Sequence, residues 1–209
     1  MSKTESLIML GDSITNGFDG HHDLEKNVSY YLKQLNPALQ ITNAGVNAGT
    51  IVGRSERDLT FQVDTHDFRN YQLATIFYGT NDFAHRAETL EILGSILQTN
   101  LTHIKQENPQ IKIFGIFPIN RFDGSMDNYS VSGLAQYSFA ELLNKLTEVY
   151  HANQIPVLNW RKIAPNLLTI NNYAEKLGDQ RLHPNSQTYA EMATVLNQFL
   201  KENAANSAN

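Results

Sequence analysis

Short apolar runs alternate with segments of helical period along nearly all of this 209-residue chain. That alternation constrains the fold more than any other feature. The runs are Leu7–Leu10, Gln40–Asn43, Leu73–Tyr78, Ile111–Ile116 and Pro156–Asn159. Each is short and continuous in apolar character, the pattern of a strand covered on both faces. Between them, Leu24, Val28, Tyr31, Leu32 and Leu35 recur at spacings of three and four, as do Leu90, Leu93, Leu97, Leu101 and Ile104. A third set is Leu142, Leu143, Leu146, Val149 and Tyr150. A last one runs from Tyr189 through Met192, Ala193, Leu196 and Phe199 to Leu200. These read as amphipathic helices. Strands alternating with helices predict a parallel sheet with helices on both faces. No repeat and no linker interrupts the pattern, so residues 1–209 are expected to form a single domain. Asn203 to Asn209 is small and polar and is expected to fray.

Composition narrows the chemistry. Sixteen basic and 21 acidic residues leave a formal charge of −5 with no basic run, which argues against nucleic acid as a partner. The absence of cysteine removes disulfides, thiolate catalysis and Cys-ligated zinc together, and fits a reducing compartment. The first residues lack the features of a secretory signal. No apolar run approaches the roughly 20 residues of a membrane helix. A soluble, cytoplasmic protein with no membrane partner is expected. Oligomeric state cannot be read.

The architecture locates function before any motif does. Ligands of open α/β sheets bind at the carboxyl ends of the strands. Ser13 follows the first run, Asn43-Ala44-Gly45 the second, and Gly79-Thr80-Asn81-Asp82 the third. The longest irregular stretch, 117–133, follows the fourth. All four are expected at one rim.

Gly11-Asp12-Ser13 alone makes only a turn. At the end of a buried strand, it also exposes a hydroxyl. Serine is a poor nucleophile until a base takes its proton, and histidine is the usual base. Of seven histidines, six sit in polar or helical surroundings. His183 differs, because Pro184-Asn185-Ser186 after it signals the start of the final helix. Attack on an ester carbonyl makes an oxyanion, which needs donors placed in advance. The Asn81 amide, the Ser13 N–H at a helix start, and the backbone of the small-residue segment 45–50 are candidates.

Gly11-Asp12-Ser13, the Asn-Ala-Gly…Thr segment, Gly79-Thr80-Asn81-Asp82 and His183-Pro184-Asn185 together resemble the conserved blocks of the SGNH hydrolases, or GDSL esterases/lipases. They occur in that family's order and span nearly the whole chain. The resemblance implies a three-layer α/β/α flavodoxin-like sandwich with a parallel five-stranded sheet, and a serine acyl-hydrolase without a cofactor. It implies Ser13 as nucleophile, His183 as base and Asn81 as oxyanion donor. Two positions depart from the pattern. An ungapped match puts Ala48 where the family usually has a glycine whose N–H joins the oxyanion hole. Ala48 serves if its dihedrals are ordinary, and Gly49 serves if the register slips. The family's acid usually stands three residues before the histidine, which here is Gln180. Either a one-residue bulge brings Asp179 to the imidazole, or a backbone carbonyl orients His183 and the site works as a dyad.

The expected activity is hydrolysis of small carboxylic esters, of short acyl chains or acetylated sugars, through an acyl-enzyme. The alternatives are a non-catalytic carbohydrate-binding module on the same fold, or an acyltransferase. No metal is expected: Asp12 and Asp82 read as loop anchors, and His21-His22-Asp23 as a solvated loop. Neither a Gly-x-Gly-x-x-Gly fingerprint nor a phosphate-binding Gly-Lys-Ser/Thr loop is present, and there is no Gly-x-Ser-x-Gly elbow. Phe117, Phe122, Met126 and Tyr129 either wall a substrate pocket or fold their loop on itself.

Overall fold

The computed structural model describes residues 5–205. Strands β1 (Glu5–Gly11), β2 (Leu39–Gly45), β3 (Leu73–Phe77), β4 (Lys112–Ile116) and β5 (Val157–Leu158) pair in parallel in the order β2-β1-β3-β4-β5. The chain winds to one edge and then crosses back over β1, so its direction of travel reverses between β1 and β3. That point is where an open α/β sheet leaves a crevice at the carboxyl ends of its strands.

Alternation along β1 divides the core. Ile8 and Leu10 face one layer, with Ala74, Ile76 and Ile113 beside them. There they meet the helices α3 (Leu59–Thr65), α5 (Leu90–Glu107) and α6 (Phe139–Ala152). Leu7 and Met9 face the other layer, against α2 (Val28–Leu35) and α9 (Ser186–Ala205). The expected three-layer α/β/α sandwich with a five-stranded parallel sheet is therefore present. Both layers follow from the period of two in a strand and the apolar stripe on each helix. Local signals fix several ends. Helix α6 begins at a capping box, in which Ser138 accepts the Glu141 N–H and Glu141 accepts the Ser138 N–H.

Some boundaries differ from the sequence reading. Asn43-Ala44-Gly45 was expected beyond the second strand, but it completes β2, pairing Leu10 with Ala44 and Gly11 with Gly45. Strand β2 is an edge, so Gln40 is exposed and Ile41 to Asn43 are only partly covered. Five short helices escape the periodicity argument because each has too few turns to show a stripe. They are α3 together with α1 (Ser13–Asn16), α4 (Thr80–His85), α7 (Trp160–Ile163) and α8 (Tyr173–Lys176). The expectation that the chain frays from Asn203 does not hold for 203–205, which belong to α9; residues 206–209 lie outside the described part. Among the described residues, no helix is long and apolar enough to cross a membrane.

Candidate active site

Ser13 is the first residue of α1, directly beyond the end of β1. Asp12 caps that helix, its carboxylate accepting the Ile14 N–H at 2.9 Å. Ser13 is 4% exposed, and its Oγ lies 3.0 Å from His183 Nε2. The two residues are 170 positions apart, and only the parallel winding brings them together. The loop carrying His183 is fixed on both sides: Gly178 N–H donates to the His183 carbonyl at 2.8 Å, and Asn185 N–H donates to the Lys176 carbonyl at 3.0 Å. The Phe18 ring meets the imidazole edge-on at 4.9 Å.

Asp179 reaches the other side of the ring. Its Oδ2 stands 2.7 Å from His183 Nδ1. Its Oδ1 accepts the N–H groups of Arg181, Leu182 and His183 at 3.0, 2.8 and 3.0 Å. Burial works against the charge on Asp179. The hydrogen bonds from His183 and from the Leu182 and His183 backbone outweigh it and hold the carboxyl well below its usual range. The turn is made possible by Gln180, which adopts φ 52°.

The oxyanion candidates converge from three strands. Gly79, at φ 126° and ψ −28°, turns the chain off the end of β3 in a conformation that a side chain would disfavour. Asn81 then sits in the first turn of α4. Its Nδ2 donates to the Gly49 carbonyl at 3.0 Å, which uses one of its two hydrogens. Ala48 precedes that glycine at φ 62°, so its dihedrals are not ordinary. Slipping the register to Gly49 meets an obstacle, because the Gly49 N–H already donates to the Val46 carbonyl at 3.1 Å. The N–H groups of Ser13 and Ala48 have no acceptor among the described residues. The segment is pinned beside Ala48: the Asn47 side chain accepts from Asn16 at 3.0 Å and donates to Asp23 at 2.9 Å.

The acidic residues near the rim are loop anchors. Asp82 accepts the N–H groups of Ile51 and Val52, and Asp58 those of Thr50 and Ser55. Burial raises Asp82 to about 6 against the opposing pull of those backbone donors. Burial raises Asp12 to about 7, with the nearby Asp82 charge adding to the effect. No group of three or more His, Cys, Asp or Glu able to hold a metal ion occurs among the described residues. The His21 and His22 backbone N–H groups are both taken by Asp19, as in a turn.

Two aromatics of the long segment after β4 pack against α7 and α8 rather than on the segment itself. Phe117 and Phe122 are buried, and Phe122 stacks on Tyr173 at 4.6 Å. Tyr129 lies beneath the Arg161 guanidinium at 4.0 Å, while Met126 is exposed. The sequence reading missed Arg121, a buried arginine that donates to the carbonyl and hydroxyl of Thr80 at 2.9 and 3.1 Å. Its one signal was a basic residue between the apolar Ile119 and Phe122, with Asp123 two positions on.

A parallel α/β/α protein with this constellation at its switch point has the build of an ester hydrolase. The profile of the GDSL-like Lipase/Acylhydrolase family matches residues 9–191, and the chain belongs to that family of carboxylic ester hydrolases. Several solved structures share its fold. A Lactobacillus plantarum protein is 19% identical, covers 97% of this chain and 99% of its own, and superposes with a TM-score of 0.76. A lipase/acylhydrolase from Enterococcus faecalis is also 19% identical, with coverage of 95% and 96% and a TM-score of 0.70. The inhibitor-bound aryl esterase of M. smegmatis is 14% identical, with coverage of 95% and 99% and a TM-score of 0.69. No curated protein sequence matches the chain.

Proposed function

We propose that the chain is a serine esterase that cleaves small carboxylic esters, of short acyl chains or acetylated sugars, through an acyl-enzyme. The observation that carries this reading is the continuous line from Ser13 Oγ to His183 Nε2 at 3.0 Å and from His183 Nδ1 to Asp179 Oδ2 at 2.7 Å. Ser13 Oγ attacks the acyl carbon while its proton passes to His183 Nε2. The carbonyl oxygen becomes an oxyanion, met by the N–H groups of Ser13 and Ala48 and the free amide hydrogen of Asn81. Collapse of that intermediate expels the alcohol, which takes the proton from His183. Water, deprotonated by the same imidazole, then releases the acid and restores Ser13. Asp179 orients the ring and stabilises the imidazolium.

A fluorophosphonate tests this directly. It is expected to label Ser13 covalently, with the adduct mapped by mass spectrometry. Ser13→Ala should abolish labelling and remove at least about 99% of the hydrolysis of a short chromogenic ester. An unlabelled Ser13, or activity surviving the substitution, would overturn the reading; a carbohydrate-binding module gives the first result.

A further inference from the structure

Two arginines reach toward the site from separate segments, and a single carboxylate joins them. Arg121, 3% exposed, donates from Nε to Asp123 Oδ2 at 2.6 Å and from Nη2 to Asp123 Oδ1 at 3.1 Å. Its third nitrogen holds Thr80, the residue before Asn81. Asp123 Oδ1 also accepts from Arg181 Nη1 at 3.2 Å. Arg181 is two residues before His183, and its Nε stands 3.8 Å from Asp179 Oδ2. That is the oxygen that meets His183 Nδ1. The Arg181 guanidinium therefore lies between two carboxylates, hydrogen-bonded to one and just outside bonding distance of the other.

A planar guanidinium binds a carboxylate with two parallel donors when free to do so. If Arg181 closed on Asp179, it would compete with the imidazole for Oδ2 and offset the negative charge that stabilises the imidazolium. We propose that Asp123 is a positioning residue of the active site: by holding the Arg181 guanidinium, it keeps Asp179 Oδ2 for His183 Nδ1–H. Burial works against ionisation of Asp123, but the hydrogen bond from Arg121 and the charges of Arg121 and Arg181 overcome it, so the anchor is charged at neutral pH. The same carboxylate braces the Asn81 side of the site through Arg121 and Thr80. Other ionisable groups come from the elements around His183 and Asp179: Asp12 beside Ser13, Asp19, His21, His22 and Asp23 in the loop after α1, Asp82 and His85 on α4, Glu175 and Lys176 on α8, and Tyr189 and Glu191 on α9. All of them are unchanged in the variants below.

The proposal rests on His183 being the catalytic base. Asp123→Asn is expected to lower kcat for a small neutral ester about tenfold with little change in KM. It should also move the acid limb of kcat/KM to lower pH by about half a unit. Arg181→Ala should move that limb the other way, because it removes a cation from beside Asp179. The double variant should recover most of the lost kcat and return the limb toward its original position. A downfield proton resonance from the His183 Nδ1–H to Asp179 bond should weaken in Asp123→Asn and recover in the double variant. That signal is read without any turnover. If Ser13→Ala retains activity, the esterase reading fails, while the resonance still tests the role of Asp123. An Asp123→Asn enzyme with an unmoved limb, or a loss that Arg181→Ala does not recover, would show a merely structural role and overturn the proposal. If Asp123→Asn does not fold, Arg181→Ala decides alone: an unmoved limb overturns the proposal.

Discussion

Asp179 holds His183 twice: Oδ2 stands 2.7 Å from the ring Nδ1, and Oδ1 accepts the backbone N–H of the same residue at 3.0 Å. The carboxylate thus sets the position of the histidine's main chain and the direction of its side chain together. Four positions separate the two residues, and Gln180, at φ 52°, absorbs the extra one. A non-glycine residue in that region costs about 1–2 kcal/mol, which three backbone donors to one oxygen help to offset.

Asp179→Asn should therefore lower kcat on the order of 10²- to 10⁴-fold, with KM nearly unchanged, because the amide favours the wrong ring tautomer. Steady-state kinetics on a short chromogenic ester measures this. A fall of less than about threefold would mean that His183 is oriented without Asp179, as in a dyad.

Ala48 is exposed and sits at φ 62°, while Gly49 is buried with its N–H committed to Val46. Ala48→Gly should leave kcat within about twofold, since the N–H survives, and should raise stability by up to about 1 kcal/mol. Gly49→Ala should do the opposite, because a Cβ there would stand 2.4 Å from the Arg57 carbonyl oxygen. Thermal melting of both variants checks the pair. A stabilised Gly49→Ala would contradict the close approach.

Asp12 and Asp82 give stability an unusual pH dependence. Burial raises Asp12 from 3.8 to about 7 and Asp82 from 3.8 to about 6. Between the unfolded and folded values, the folded chain keeps protons that the unfolded chain has lost. These two groups therefore favour the folded state most below about pH 4, and the contribution declines as pH rises to about 7. Asp179 acts in the reverse sense: its contribution is present above its unfolded value and is lost as pH falls below about 4. Asp12→Asn keeps the oxygen that caps α1 and removes the titration, so the fall in Tm between pH 5 and 8 should flatten. The same slope in both proteins would count against a raised Asp12.

Much of this was local and so could be read from the chain. Burial on both faces makes a strand continuously apolar, which placed β1, β3 and β4; the rule of strand ends put Ser13 and Asn81 at one rim, and the helix-start signal that follows His183 singled it out. Spacing along β1 and the later blocks required no knowledge of distant contacts. The partners of those residues were decided elsewhere. Nothing about a glutamine announces a left-handed backbone, so whether Asp179 meets His183 depended on the closed loop 177–185. Arg121 and Asp123 stand two positions apart, but the pairing of Asp123 with Arg181 joins segments 58 residues apart, and only the folded chain brings those charges together. The sequence by itself determined a parallel α/β sheet with a serine and a histidine at its rim. Tertiary structure decided which carboxylate meets the histidine, because that choice rests on the backbone dihedrals and hydrogen bonds of a closed loop rather than on residue type.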